Sequence, residues 1–534
     1  MYQDKNILES MRLVEAARAE NVKLDPRRVT AEEKEKLLAT YHPDYRQDQF
    51  SVLKMGPNAG EKVPVELAGL LQGKSRLESR NVPDLTKPDY DVDVLIIGAG
   101  GAGTSAAIEA HEAGAKVMIA TKLRMGDANT MMAEGGIQAA DKPNDSPAQH
   151  FLDAFGGGHF AAQKDLLYKL VTEAPEAIQW LNNLGVEFDK APDGTMITTH
   201  GGGTSRKRMH AAKDYSGAEI MRTLRDEVLN RKIPVVDYTA AVELIKDDKG
   251  CCAGAVLMNM ENGELYVARA KTVIIATGGA GRLHYQGFPT SNHYGATADG
   301  LVLAYRAGAR LLYPDTLQYH PTGAAFPAQI FGALVTEKVR SLGAMLINAK
   351  GEAFMNPLET RDVSAASIIR ECSDRGNGVK TPQGDAVWLD TPMIDMIHGK
   401  GTLEKRLPAM LRMYLKFGID MRETPILIYP TLHYQNGGLE IGANGMTCVE
   451  NLFVAGEAVG GIHGRNRLMG NSLLDIIVFG RNAGKSAAAK AKNVTVGALN
   501  VDHVAAFSKE LAKAGIENPQ ESPLLLPNYA RIKE

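Results

Sequence analysis

Asp91-Val-Asp-Val-Leu-Ile-Ile-Gly98-Ala-Gly100-Gly101-Ala-Gly103 opens as a near-continuous apolar run and ends as a cluster of glycines. The run predicts a strand buried on both faces, as parallel strands are. A helix of small residues is predicted next, from Thr104 to Ala113, then a second strand from Lys116 to Ala120. Together these form a βαβ unit opening a doubly wound sheet. The glycines match G-x-G-x-x-G between a strand and a helix, the setting in which that motif carries information. Without side chains there, backbone amides can approach a pyrophosphate, and the helix N-terminus adds partial positive charge. One expectation of the motif is not met: an acidic residue should end the second strand to hold a ribose, and Thr121-Lys122 stand there instead. That disfavours ordinary NAD binding and leaves the dinucleotide open.

Outward from this unit, alternating strands and helices are expected to about Ile275. A more helical insert is expected from 314 to 430. Strand-like sequence returns at Leu452-Phe-Val-Ala-Gly-Glu457, followed by a helix from Ser472 to about Lys492 and a short polar tail. Residues 1–88 are charged and predict helices at Asn6 to Asn21, Thr30 to Thr40 and Val65 to Leu71, with Thr30 and Glu33 at capping-box spacing and Pro43 ending the second. They form either an accessory extension or a docking arm for a partner. The expected division is 1–88 helical extension, 89–313 first nucleotide-binding part, 314–430 insert, 431–495 second nucleotide-binding part and 496–534 tail. No internal repeat or low-complexity segment interrupts it.

The 534 residues suffice for several cores. Sixty basic against 63 acidic residues give a net charge of −3, so no basic field for nucleic acid is implied. The longest apolar runs, such as Val92 to Gly98, are strand-sized, and no span of about 20 apolar residues predicts a membrane helix. No signal peptide is visible, and none of the four cysteines forms a C-x-x-C pair, so the cytoplasm is the expected compartment and no iron–sulfur ligation is expected within the chain.

Two further strands end in glycine turns: Ile274-Ile-Ala-Thr277-Gly278-Gly279-Ala-Gly281 and Phe453-Val-Ala-Gly456-Glu457. Both are similar to the later FAD-contacting turns of two-dinucleotide-fold flavoproteins. Around them lie Ala133-Glu134-Gly135-Gly136, Gln318-Tyr319-His320-Pro321-Thr322-Gly323, Thr336-Glu337 with Arg340, Arg361-Asp362, His433-Tyr434 with Gly437-Gly438, and His463-Gly464-Arg465-Asn466-Arg467-Leu468 leading to Asn471-Ser472-Leu473. With these motifs, roughly residues 89–490 resemble the flavoprotein subunits of fumarate reductases and succinate dehydrogenases.

The resemblance implies an α/β fold, an FAD-binding Rossmann-like domain interrupted by a mobile α+β capping domain, with fumarate or succinate bound between them. It implies FAD contacts from Gly98, Gly100, Gly101 and Gly103, from Thr121 and Lys122, and from Asn129, Thr130, Glu134, Gly135 and Gly136. Thr277, Gly278, Gly279 and Asp299, then Gly456, Glu457, Arg467, Ser472 and Leu473, complete that set. A dicarboxylate needs cationic and hydrogen-bonding groups at both ends, and the planar fork of arginine suits a carboxylate. By the resemblance, Arg467, His433, His320 and Thr336 hold the diacid, and Arg361 protonates one carbon as hydride from flavin N5 reaches the other. Glu337 and Arg340 resupply that proton. A guanidinium is a poor acid, so this role requires dense positive charge and desolvation.

Alone, each residue has a plainer reading. His320 before Pro321 reads as a turn residue, His433 and Thr336 as core, Arg361-Asp362 as a surface pair and Glu337/Arg340 as a helix pair. The ordered set favours the site. His210, His284, His293 and His463 read as structural or flavin-adjacent.

The chain also departs from the family. Many members attach FAD to a histidine five residues before the Glu of Ala-Glu-Gly-Gly, and here that position is Asn129. An amide cannot make the bond, so non-covalent FAD is expected, with fumarate reduction favoured over succinate oxidation. Arg340-Ser-Leu-Gly343 stands where the family often has Arg-Gly-Glu-Gly, which leaves the proton relay open. Electrons are expected from an iron–sulfur partner subunit, through which the protein could associate with a membrane. L-aspartate oxidase shares the fold but tends to carry Gln at the Glu134 position and keeps Arg-Gly-Glu-Gly. A flavin electron-transfer subunit without catalysis is the other alternative.

Overall fold

The computed structural model describes residues 2–283 and 285–527; His284 lies outside them. The strand Tyr90–Ile97 runs parallel to Val117–Ala120 on one side and to Leu265–Ile275 on the other. Val235–Val236 extends the sheet beyond Val117–Ala120, and Leu452–Val454 pairs with the end of Leu265–Ile275. All of these pairings are parallel, as the opening βαβ unit predicted.

The first helix spans Gly101–Glu112, so it begins within the glycine cluster. Gly98 has φ +109°, and a Cβ on Gly103 would lie 1.9 Å from the Gly98 carbonyl oxygen. Only glycine lets the strand turn there and the helix close on it.

The expected alternation to Ile275 does not hold past Val236. Thr239–Asp247, Cys252–Asn259 and Leu265–Ile275 form an antiparallel meander. Their connections are too short for a crossover helix, which parallel pairing would require.

The insert is also less helical than expected. Its centre is an antiparallel sheet in the order Leu317–Ala324, Ile426–Gln435, Gly384–Asp390 and Met345–Ile347, with Val379–Thr381 added to Gly384–Asp390. Stretches such as Ala386-Val-Trp-Leu389 and Ile426-Leu-Ile428 are fully buried, which suits β-branched and aromatic residues in a covered sheet. Leu317–Ala324 enters the insert and Ile426–Gln435 leaves it, and their pairing places His320 beside Thr431. The register shifts between His320 and Gly323, where Pro321 cannot donate to the ladder.

The N-terminal segment packs on both parts of the molecule. Thr30 and Glu33 form the capping box at the start of Ala31–Tyr41. The helix Lys5–Asn21 lies on the insert: the Trp388 indole donates to Ser10 Oγ at 2.8 Å, Arg18 pairs with the buried Asp390 at 2.9 Å, and Tyr2, Ile7 and Val14 join the insert's apolar core. Leu37 and Leu38 pack on Val363 and Ala366. Farther on, the Asn58 side chain exchanges two hydrogen bonds with the Leu311 backbone, and Tyr305 donates to the Met55 carbonyl. The extension thus braces the insert against the nucleotide-binding sheet. Deleting residues 2–24 from a Trp180→Phe chain should expose Trp388 and red-shift its emission; unchanged emission would mean that the helix does not cover it.

The expected polar tail contains the helix Asp502–Lys513, whose Val504, Phe507 and Leu511 form a buried stripe at helical spacing. It also supplies Leu499–Asn500 to the edge of Thr239–Asp247, and Glu521–Ser522 pairs with Lys74–Ser75.

Candidate active site

An open cleft of about 1320 Å³ lies at the carboxyl ends of the parallel strands, where doubly wound sheets bind ligands. Of the expected cofactor contacts, Gly98, Gly100, Gly101, Thr121, Lys122, Asn129, Thr130, Thr277, Gly278, Asp299, Glu457, Ser472 and Leu473 line it. The helix Gly101–Glu112 starts at the cleft, and the bare glycine backbone leaves room for a phosphate.

The remaining expected contacts lie behind this wall. Gly103 packs on Gly98, Gly456 on Ala102, Gly279 against the Glu457 side chain, Gly135 against Met469 and Gly136 against the His210 carbonyl. Glu134 is held well above the usual carboxyl range by burial and then by Asp214, and its Oε2 has no partner. Arg467 lies beside the cleft, on Tyr434, which does line it.

Asn129 presents an amide to the cleft. Its Nδ2 donates to Asn292 Oδ1 at 2.7 Å and to Glu457 Oε2 at 3.2 Å, and its Oδ1 accepts from the His293 amide at 2.7 Å.

His433, Tyr434 and Ser291 also line the cleft. His320 and His433 stand with ring centroids 5.1 Å apart. His320 Nδ1 accepts from the Thr322 amide at 3.2 Å, so the neutral ring carries its proton on Nε2. Burial, and then the surrounding cations beginning with Arg361, hold both imidazoles well below their usual pKa. They therefore act as neutral groups at neutral pH. His433 Nδ1 is 2.7 Å from Ser291 Oγ, which sets the ring's orientation.

Arg467 is 2% exposed, with its guanidinium carbon 4.2 Å from the Tyr434 ring centroid. Its Nη1 donates to the Leu468 carbonyl, while Nε and Nη2 have no partner. Burial, and then Arg361, push its pKa down to about 9. A buried cation with idle donors is the feature an anionic ligand would complete.

Arg361 begins the helix Arg361–Ser373. Its Nε donates to Glu337 Oε2 at 2.9 Å and its Nη1 to Gln318 Oε1 at 3.0 Å. Glu337 also accepts from the Gly202 amide at 2.6 Å and lies 3.4 Å from Arg340. Burial raises the Glu337 pKa, but Arg361 and Arg340 outweigh it, and the carboxyl titrates below its usual range. Arg340 is buried and donates to the Pro357 carbonyl. The contacts Arg340–Glu337–Arg361 thus persist with Ser341-Leu342 in the altered segment. Thr336, also buried, precedes Glu337.

Burial removes one of the plainer readings, the surface pair at Arg361-Asp362. Asp362 is buried and bound by His159 Nε2 at 2.6 Å rather than paired with Arg361 on the surface. His463 and His210 bond Asp475 and Asp141 at 3.2 and 3.1 Å. His293 lines the cleft.

Gln318 sits in a motif whose sequence assigns it no role. Its Oε1 accepts from Arg361, and its Nε2 donates to the Arg467 carbonyl at 2.7 Å and Asn466 Oδ1 at 3.0 Å. It thereby ties together the segments bearing the two arginines. Ser291 and Asn292 carried no sequence signal, because they lie outside any motif.

The chain as a whole is similar to known proteins. The model of a family described as FAD binding domain matches residues 93–473. The chain is 39% identical over 412 residues to a fumarate reductase (CoM/CoB) subunit of Methanothermobacter marburgensis, covering 75% of this chain and 73% of that protein. It is 35% identical over 400 residues to an L-aspartate oxidase of Streptomyces coelicolor, covering 72% and 67%. A solved quinol-fumarate reductase with menaquinol molecules superposes with a TM-score of 0.71 at 33% identity, over 79% of this chain and 75% of that one.

Proposed function

Because this chain belongs to the FAD-binding family of fumarate reductase and succinate dehydrogenase flavoproteins and is a flavin-dependent oxidoreductase, we propose that it reduces fumarate where its cleft meets His433 and Tyr434. The observation carrying this reading is Arg467, a buried cation with two unpartnered donor nitrogens beside two neutral histidines. One carboxylate takes the Arg467 fork, with His433 beside it. The Nε2–H of His320 and the Thr336 hydroxyl serve the other end. Stabilising negative charge that develops on a carboxylate makes the double bond electrophilic. FAD, held non-covalently along the cleft, supplies the hydride when bound. Arg361, fixed by Glu337 and Gln318, delivers the proton to the opposite carbon, and Glu337 and Arg340 return it. Two guanidinium groups on one carboxylate, with Arg467 close enough to repel Arg361, provide the positive density that makes an arginine proton transferable.

The electrons come from a partner, for which an iron–sulfur protein is the expected class, and any membrane association runs through partners. Among the described residues no helix is long and apolar enough to cross a membrane.

The test is to purify the chain and assay fumarate reduction with a reduced dye against succinate oxidation with an oxidised one. Fumarate reduction should be the faster. Faster succinate oxidation would reverse the proposed direction. Acid precipitation should leave all the flavin in the supernatant, since Asn129 cannot form a histidyl link; flavin in the pellet would contradict non-covalent binding. The L-aspartate oxidase relative supplies the second reading, which activity with L-aspartate and oxygen but none with fumarate would select. An electron-transfer protein without catalysis would turn over neither.

A further inference from the structure

The Lys122 ammonium has three donors and spends all of them inside the protein: on Thr297 Oγ1 at 2.7 Å, Asp299 Oδ2 at 2.5 Å and the Leu525 carbonyl at 2.6 Å. Asp299 in turn accepts from the Leu525 amide at 3.2 Å. Lys122 and Asp299 line the cleft where the second strand ends, the place at which dinucleotide folds hold a ribose. A residue more than 200 positions beyond Asp299 therefore grips both members of this pair through its main chain. Leu525 does so at φ +68°, a conformation that costs a leucine free energy.

Its segment is tied down by a buried polar network. Arg306 donates to Glu243 at 2.6 Å and to the Ser522 carbonyl at 3.1 Å; Ser75 donates to the same Glu243 oxygen at 2.6 Å. Arg76 donates to the carbonyls of Pro523 and Leu524 at 2.6 and 3.2 Å. The Leu525 side chain is buried with Ala240 and Val242, on the strand whose Ala240 and Ala241 also line the cleft.

We propose that residues 521–526 are a latch on the nucleotide half of the cofactor cleft, holding Lys122 and Asp299 through the Leu525 main chain and so setting how long FAD stays bound. This requires FAD to occupy the cleft; it does not depend on which substrate is reduced.

The test is the rate of FAD release from the loaded full chain, followed by the recovery of flavin fluorescence. Leu525→Pro removes the amide donor and forbids the positive φ, and should speed release about tenfold, as expected when a hydrogen bond to a charged group is lost. Leu525→Gly keeps both main-chain bonds and should stay within about twofold. Thr297→Val, buried and outside the cleft lining, removes one Lys122 acceptor and should speed release several-fold; it decides the matter if Leu525→Pro does not fold. Direct binding to the flavin-free variants should show ADP and FAD weakened by a similar factor while FMN binds as before. Release at the unmodified rate in Thr297→Val and in any folded Leu525→Pro would overturn the latch, as would equal weakening toward ADP and FMN.

Discussion

Replacing Arg361 with leucine should lower fumarate turnover by at least ~10³-fold, near the upper range for removing a general acid, while the purified chain keeps its flavin absorbance. Arg361 does not line the flavin cleft, so cofactor binding has no reason to fail. Its Nε and Nη1 bond Glu337 and Gln318, and this double tether aims the remaining donors. Leucine cannot carry a proton and leaves Glu337 charged beside Arg340 alone. Arg361→Lys restores a charge but not the fork that two tethers require, so it should recover little. The measurement is single-turnover reoxidation of the reduced flavin by fumarate, which separates chemistry from binding. Turnover within about tenfold of the unmodified chain would exclude Arg361 as proton donor.

Arg467→Met should act in two opposed directions. It removes the cation proposed to grip one carboxylate, so kcat/KM for fumarate should fall by about 10²–10³-fold, the cost of losing a preorganised donor to developing charge. In the absence of ligand the same change should leave the melting temperature unchanged or raised. Arg467 is a buried cation with two idle donors, so an apolar side chain of similar size relieves an uncompensated desolvation cost. The contact with the Tyr434 face offsets part of that gain. Thermal melting with and without fumarate checks both: the diacid should stabilise the unmodified chain and not the variant. A variant still stabilised by fumarate would place the diacid elsewhere.

The apolar run 91–97 followed by the glycine cluster determined the parallel sheet, because a strand covered on both faces and a side-chain-free turn leave local signatures. The capping box at Thr30 and Glu33 was legible for the same reason: its partners lie three residues apart. The proposed site residues came from the ordered motifs, each too weak alone. What sequence could not show were relations between distant segments. Gln318 became a site residue only when the fold set it between the chain around Arg467 and the start of the helix at Arg361. Ser291 belongs to no motif and matters because it orients His433. The insert read as more helical than it is, since short strands in an antiparallel sheet carry little period, and the C-terminal segment read as a tail because its partners, Lys122, Asp299 and Arg306, lie hundreds of residues earlier. Local backbone preference is written in neighbouring residues; burial, charge pairing and the idle donors of Arg467 depend on which distant side chains the packed chain brings within a few ångströms, and only the tertiary structure decides that.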